Sequence, residues 1–230
     1  MTDVPFDIVG FDLDGTLLDT HADLGAAVNH ALSLIDREPV PVAKVRDLVG
    51  GGSKKMLARA LDLRGGALPE TEFKRLHGEL LEFYQENIAV HSRLFPGGEA
   101  MLDGLAERGV ALAVVTNKFE RYAIRLLDEL GLSERFYTIL GGDSLGPGRA
   151  KPNPDLLHEM VARKQGQGTR AAFIGDTTFD TGAARAAGMP SVAVNFGFND
   201  RPPEDLGANA VIAHFDELIP ALKKLGPARA

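Results

Sequence analysis

The chain contains no cysteine, which removes disulfide scaffolds, thiolate metal ligands and thiol nucleophiles together. A reducing compartment is thereby permitted, and the chain reads as cytoplasmic. Positive charge is in deficit: 25 Lys and Arg stand against 32 Asp and Glu, for a formal net charge of −7. With no polybasic run either, a general nucleic-acid footprint is excluded and small-molecule chemistry is favoured. Long apolar runs are missing as well. No 18 consecutive apolar residues occur, so no membrane span is expected, and Met1-Thr2-Asp3-Val4-Pro5 turns polar too early for a signal peptide. Neither GxGxxG nor GxxxxGK[ST] is present, and the six histidines (His21, His30, His77, His91, His158, His214) include no HExxH pair. What remains is an ordinary soluble composition, 44% apolar and 25% charged, with 26 Gly and 13 Pro to make turns.

The pattern of apolar residues changes twice along the chain. Phe6 to Phe11 is a short apolar run that stops at Asp12-Leu13-Asp14-Gly15-Thr16, as a strand ending in a polar turn does. From Leu17 to about His91 the spacing is helical throughout: Leu24, Val28, Ala31, Leu32 and Ile35; then Met56, Leu57, Ala60 and Leu61 after Gly50-Gly51-Gly52, with Ser53 as the expected cap; then Phe73, Leu76, Leu80, Tyr84 and Ile88 after Pro69-Glu70. Beyond Phe95-Pro96-Gly97, short apolar runs at 110–115, 137–140, 171–174, 192–194 and 211–212 alternate with helical stretches. Strands alternating with helices of about ten residues predict an α/β fold with a Rossmann-like parallel sheet covered on both faces. The simplest division is a discontinuous core of residues 1–15 and 92–230, with a small all-helical cap, 16–91, inserted after the first strand.

Polar residues gather where predicted strands end: Asp12 and Asp14, then Thr116 and Asn117, then Lys151 in a Gly/Pro-rich loop, then Asp176 and Asp180. In a parallel sheet those ends share one edge, where ligands bind. Four carboxylates brought together repel unless a cation lies among them, and a hard divalent ion with oxygen ligands, Mg²⁺ above all where phosphate is also bound, answers that need.

In this order, Asp12-Leu13-Asp14-Gly15-Thr16, Val115-Thr116-Asn117-Lys118, Lys151-Pro152 and Gly175-Asp176-Thr177-Thr178-Phe179-Asp180 resemble the four motifs of the haloacid-dehalogenase-like phosphohydrolases. Asp19-Thr20, the Gly50–Gly52 segment and Lys151-Pro152-Asn153-Pro154 add a narrower similarity to phosphoglycolate phosphatases with a small helical cap. The resemblance implies Mg²⁺-dependent hydrolysis of a small phosphorylated metabolite, best 2-phosphoglycolate, with Asp12 as nucleophile and Asp14 as general acid and then base. It implies Thr116, Asn117 and Lys151 as phosphate ligands. Asp12, the backbone carbonyl of Asp14, and Asp176 would hold the metal, while Asp180 would hold a metal-bound water or orient Lys151. Gly50, Gly51, Gly52 and Ser53 would form a cap loop lowered over the substrate.

Other readings stay open at this point. The same chemistry serves a phosphomutase or a broader sugar-phosphate phosphatase, and the fold could carry a non-catalytic binding or assembly protein. His21, in the expected hinge, and Arg149, in the loop before Lys151, are further candidates for substrate contact. Ser144 reads as structural, because no Ser–His–Asp context surrounds it. No heptad run proposes a coiled-coil partner, which leaves a monomer or a homodimer.

Overall fold

The computed structural model describes residues 3–164 and 169–226, so the reading of Met1 and Thr2 and the outer ends of the expected core lie outside the described residues. The elements run β1 (Ile8–Phe11), β2 (Leu18–Asp19), α1 (His21–Ser33), α2 (Val42–Val45), α3 (Ser53–Leu63), α4 (Glu70–Glu86), β3 (Arg93–Leu94), α5 (Gly98–Glu107), β4 (Ala111–Val115), α6 (Glu120–Glu129), β5 (Thr138–Leu140), α7 (Asp155–Lys164), β6 (Ala171–Gly175), α8 (Thr178–Ala186), β7 (Ser191–Val194), β8 (Ala210–Ile212) and α9 (Leu218–Leu225). Six strands form one parallel sheet in the order β5-β4-β1-β6-β7-β8.

β1 is the centre of that sheet, with Val9 paired to Leu112 on one side and to Ala172 on the other. Its side chains alternate between two apolar layers, as the twofold period of a strand requires. Ile8 joins Ala113, Phe173 and Met160 beneath α7, whereas Val9 and Phe11 join Leu112, Ile174, Leu102 and Leu222 beneath α5 and α9. Burial on both faces is why these strands read as continuous apolar runs.

The helical segment opens differently from the expectation. A two-residue strand, β2, precedes α1 and pairs antiparallel with β3, Leu18 opposite Leu94 and Asp19 opposite Arg93, so helix does not begin at Leu17. A ribbon of two residues is too short to show alternation in the sequence. Beside it the buried Asp23 of α1 accepts hydrogen bonds from the Ser92 N–H and hydroxyl, 2.8 and 2.7 Å, and from the His91 N–H at 3.0 Å. Entry and exit of the helical segment are thus tied together. Inside it, α1 and α4 pack through Val28, Ala31, Leu32, Leu76 and Leu80, and His30 stacks on Phe83 with ring centroids 4.4 Å apart. α5 went unread in the sequence, although Met101, Leu102 and Leu105 keep helical spacing and are buried. Among the described residues no helix is long and apolar enough to cross a membrane.

Candidate active site

A cavity of about 260 Å³ opens at the carboxyl edge of the sheet, roofed by α1, α3 and α4. Asp12 follows β1 directly, and its N–H continues the ladder by donating to the Ile174 carbonyl at 2.9 Å, which fixes it to the sheet edge. The buried Lys151 ammonium donates to Asp12 Oδ1 (2.8 Å), Asp180 Oδ1 (2.6 Å) and the Val115 carbonyl (2.8 Å). Its three protons are all placed. Burial alone would lower the lysine pKa, but Asp12 and Asp180 outweigh it and raise the value. Asp12 is pushed up to about 6, chiefly by burial, with Lys151 pulling it back and Asp180 and Asp14 adding to the rise.

Asp176 is fully buried at the end of β6. Thr16 donates its hydroxyl to Oδ1 at 2.9 Å and Phe198 its N–H to Oδ2 at 2.7 Å. Burial, then Asp180 and Asp12, hold its carboxyl well above the usual aspartate range. Asp180 divides its two oxygens: Oδ2 accepts from the Thr177 N–H (2.9 Å) and hydroxyl (2.6 Å) in a capping box at the start of α8, and Oδ1 orients Lys151. Helix capping and lysine placement therefore come from the same residue. Asp12, Asp176 and Asp180 each present an oxygen within 4.8 Å of the others. Hard oxygen donors, buried and mutually repelling, fit a divalent cation such as Mg²⁺.

Asp14 faces away from this cluster. Its Oδ1 accepts from the Thr20 hydroxyl (2.8 Å), and the Lys118 ammonium donates to Oδ1 and Oδ2 at 2.8 and 2.7 Å. The turn that follows Asp14 needs Gly15: φ is +86°, and a Cβ would fall 2.3 Å from Asp176 Oδ2. Lys118 is raised in pKa; burial acts to lower it and the Asp14 carboxylate overcomes that. Its ammonium also sits 4.8 Å over the ring of Tyr84 from α4. Burial pushes the Tyr84 phenol up to about 12, with the Lys118 charge pulling the other way. Among the described residues no group meets the Tyr84 hydroxyl at full hydrogen-bond geometry, and the Lys118 ammonium is the polar group beside it.

Thr116 is buried and accepts the Lys118 N–H at 3.2 Å, which leaves its own proton for a ligand. Asn117 lies on the cavity wall, but its side-chain amide donates to the Lys151 carbonyl at 2.9 Å and so braces the lysine loop. Gly50, Gly51 and Gly52 line the roof with φ of +106°, +76° and +94°. Ser53 is not the expected cap. Gly52 holds that position without a side-chain bond, and Ser53 is already inside α3, its hydroxyl 2.8 Å from His77 Nε2. Burial, with Lys54 adding, lowers the pKa of His77.

His21 and Arg149 do not line the cavity. His21 pairs with Asp19 at 2.5 Å and meets Phe198 edge-on; Arg149 lies 3.5 Å from Asp155. Ser144 is structural, accepting the Gly141 N–H and bonded to Glu120. Sequence reasoning missed Lys118 as a site residue although it stands inside a quoted motif. It also missed Thr20, Tyr84 and Phe198. Lys118 carried a signal, as a cation beside two polar residues at a strand end, and Thr20 stood in the Asp19-Thr20 pair quoted for the resemblance.

The family model of the haloacid dehalogenase-like hydrolases matches residues 9–194. A phosphoglycolate phosphatase of Agrobacterium fabrum is 39% identical over 214 residues, covering 92% of this chain and 90% of the relative. That of Caulobacter vibrioides is 39% identical over 207 residues, 90% of this chain and 86% of the relative. Among solved structures, a protein from Haemophilus somnus described as a predicted phosphoglycolate phosphatase superposes with a TM-score of 0.85 at 30% identity, covering 96% of this chain and 98% of its own.

Proposed function

The chain belongs to the haloacid dehalogenase-like hydrolases, and on that premise we propose that it is a Mg²⁺-dependent phosphatase that converts 2-phosphoglycolate to glycolate and orthophosphate. The observation that carries this reading is the Lys151 ammonium shared between Asp12 and Asp180, with Asp176 alongside and Asp14 two residues from Asp12. The names of the relatives supply the substrate.

In the proposed reaction Asp12 attacks phosphorus, an acyl phosphate forms, and the P–O bond to glycolate breaks. Asp14, having first taken up a proton from solvent, gives it to the departing alkoxide. It then takes one from the water that attacks the acyl phosphate, which releases orthophosphate and restores Asp12. Thr116 and Lys151 meet the non-bridging oxygens as their charge grows. Asp12, Asp176 and the Asp14 carbonyl would hold Mg²⁺, while Asp180 orients Lys151 or holds a metal-bound water. When bound, the ion neutralises the carboxylates and polarises the phosphoryl group. Residues 1–15 and 92–230 would form the catalytic core and 16–91 a cap, with Gly50 to Ser53 lowered toward the organic end of the ester.

The test is Asp12→Asn. An amide is a poor nucleophile, so turnover of 2-phosphoglycolate with Mg²⁺ should fall by about 10⁴-fold or more. Full activity in a preparation shown by mass to be free of deamidation would overturn the assignment.

A further inference from the structure

Lys118 poses a problem for the acid that it holds. Both Asp14 oxygens are engaged, Oδ1 by Thr20 and Lys118 and Oδ2 by Lys118 alone. A carboxyl clamped on both oxygens is not free to turn toward a departing alkoxide. Release means that Lys118 must let go, yet its side chain is only 6% exposed, and a buried ammonium without an anion is strongly disfavoured. The exchange therefore needs a second anion at the same place.

We infer that Lys118 is a specificity residue: it locks Asp14 until a carboxylate on the substrate's own leaving group draws the ammonium away. This rests on the phosphatase reading above and goes beyond it, because it states why an anionic leaving group is selected. In 2-phosphoglycolate the carboxylate carbon is two bonds from the ester oxygen that Asp14 serves, so the anion arrives beside the Lys118 ammonium. Of the other cations near the roof, Lys55 lies over Phe179 at 4.8 Å and Arg46 meets Asp19 at 3.3 Å, while Lys54, which lines the cavity, is the rival receptor that the Lys118 variant below tells apart. Tyr84 completes the receptor. Its ring lies under the ammonium, and its hydroxyl, whose polar neighbour is Lys118 itself, is placed to meet the new ion pair. An ester with a neutral leaving group would leave the lock closed and turn over slowly.

Cutting 2-phosphoglycolate into methyl phosphate and formate tests this with the Mg²⁺-loaded enzyme. Formate should accelerate methyl phosphate hydrolysis on the order of tenfold over chloride at equal ionic strength. In Lys118→Met, methyl phosphate turnover should rise, the formate effect should vanish, and the preference for 2-phosphoglycolate over methyl phosphate should shrink by a similar factor. Equal losses on both substrates, with formate activation kept, would show a merely positioning role and overturn the inference. So would the absence of formate activation in the unaltered enzyme, a measurement that stands even if the variant does not fold. Poor hydrolysis of 2-phosphoglycolate by the unaltered enzyme would instead sink the proposed substrate, so the two failures are told apart.

Discussion

The floor of the cavity and its roof are built on opposite plans. On the floor, at the strand ends, the charged groups are matched: Lys151 spends three protons on three acceptors, and Asp180 uses one oxygen for a helix cap and the other for that lysine, while the Thr116 proton and Asn117 Oδ1 are left open. The roof, by contrast, is mostly apolar, with Leu80, Met56 and Tyr84 facing the space. It carries three successive glycines at positive φ and a phenol whose polar neighbour is the Lys118 ammonium. A floor whose charges are so engaged is organised before any ligand arrives and suits a transferred group that is always the same. A roof with slack in it suits the part of the substrate that varies.

The sharpest way to break this contrast is on the floor. Asp14→Asn should lower turnover about a thousandfold while leaving Mg²⁺ affinity little changed, because the backbone carbonyl is the expected ligand. Calorimetric titration beside single-turnover rates checks both, and matching losses in a folded variant would erase the division of labour. Next in size is a stability effect. Burial raises Asp12 and Asp176, so the metal-free fold holds more protons than the unfolded chain, and its stability drops as pH rises from the ordinary aspartate value through about 6. Mg²⁺ at a hundred times its Kd should restore about 2.7 kcal/mol near pH 7.5 and visibly less near pH 5. Thermal unfolding with Mg²⁺ or EDTA reads the difference, and an equal gain at both pH values would count against a shared carboxylate site.

The roof should respond more gently. In Gly51→Ala the new Cβ would stand 2.7 Å from Lys55 Cδ and 3.1 Å from Phe179 Cζ at φ +76°. A strain of about 1–3 kcal/mol at that loop should reduce kcat/KM for 2-phosphoglycolate about tenfold, and for an activated aryl phosphate less. Loss of equal size on both, at unchanged melting temperature, would take the loop out of substrate selection. The smallest effect belongs to His77. Its lowered pKa means that the unfolded chain binds the proton more readily, so stability falls on acidification below the ordinary histidine value of 6.5. His77→Gln should flatten that acid limb in thermal melts while kcat at pH 7.5 stays within about twofold. An unchanged acid limb would assign the pH dependence to other groups.

The two plans also explain what could be read from the amino acids alone. Strands buried on both faces announce themselves as apolar runs, and the polar residues that end them mark the floor, which is why Asp12, Thr116, Lys151 and Asp176 were legible. Asp180 was legible as a lysine partner but not as the residue whose second oxygen caps α8. The roof depends on contacts between distant segments. Tyr84 reads as one more apolar position in α4, and nothing in its spacing shows that Lys118, 34 residues later, lies against it. Ser53 looked like a cap because serine favours that place, but Gly52 takes the position and His77 claims the hydroxyl. The ribbon at the base of the helical segment was too short to leave a pattern.

That ribbon, with Asp23 beside it, alters the topology of folding. Residues 20–92 begin and end at one spot, where β2 meets β3 and Asp23 grips the amides of His91 and Ser92. To the assembling sheet this long excursion is a closed loop whose entropic toll is almost independent of its contents, since each doubling in length costs only about 0.6 kcal/mol. The junction between Asp19 and Arg93 is thus a natural graft point. A different helical segment spliced there would meet the same sheet, the same register and the same row of carboxylates.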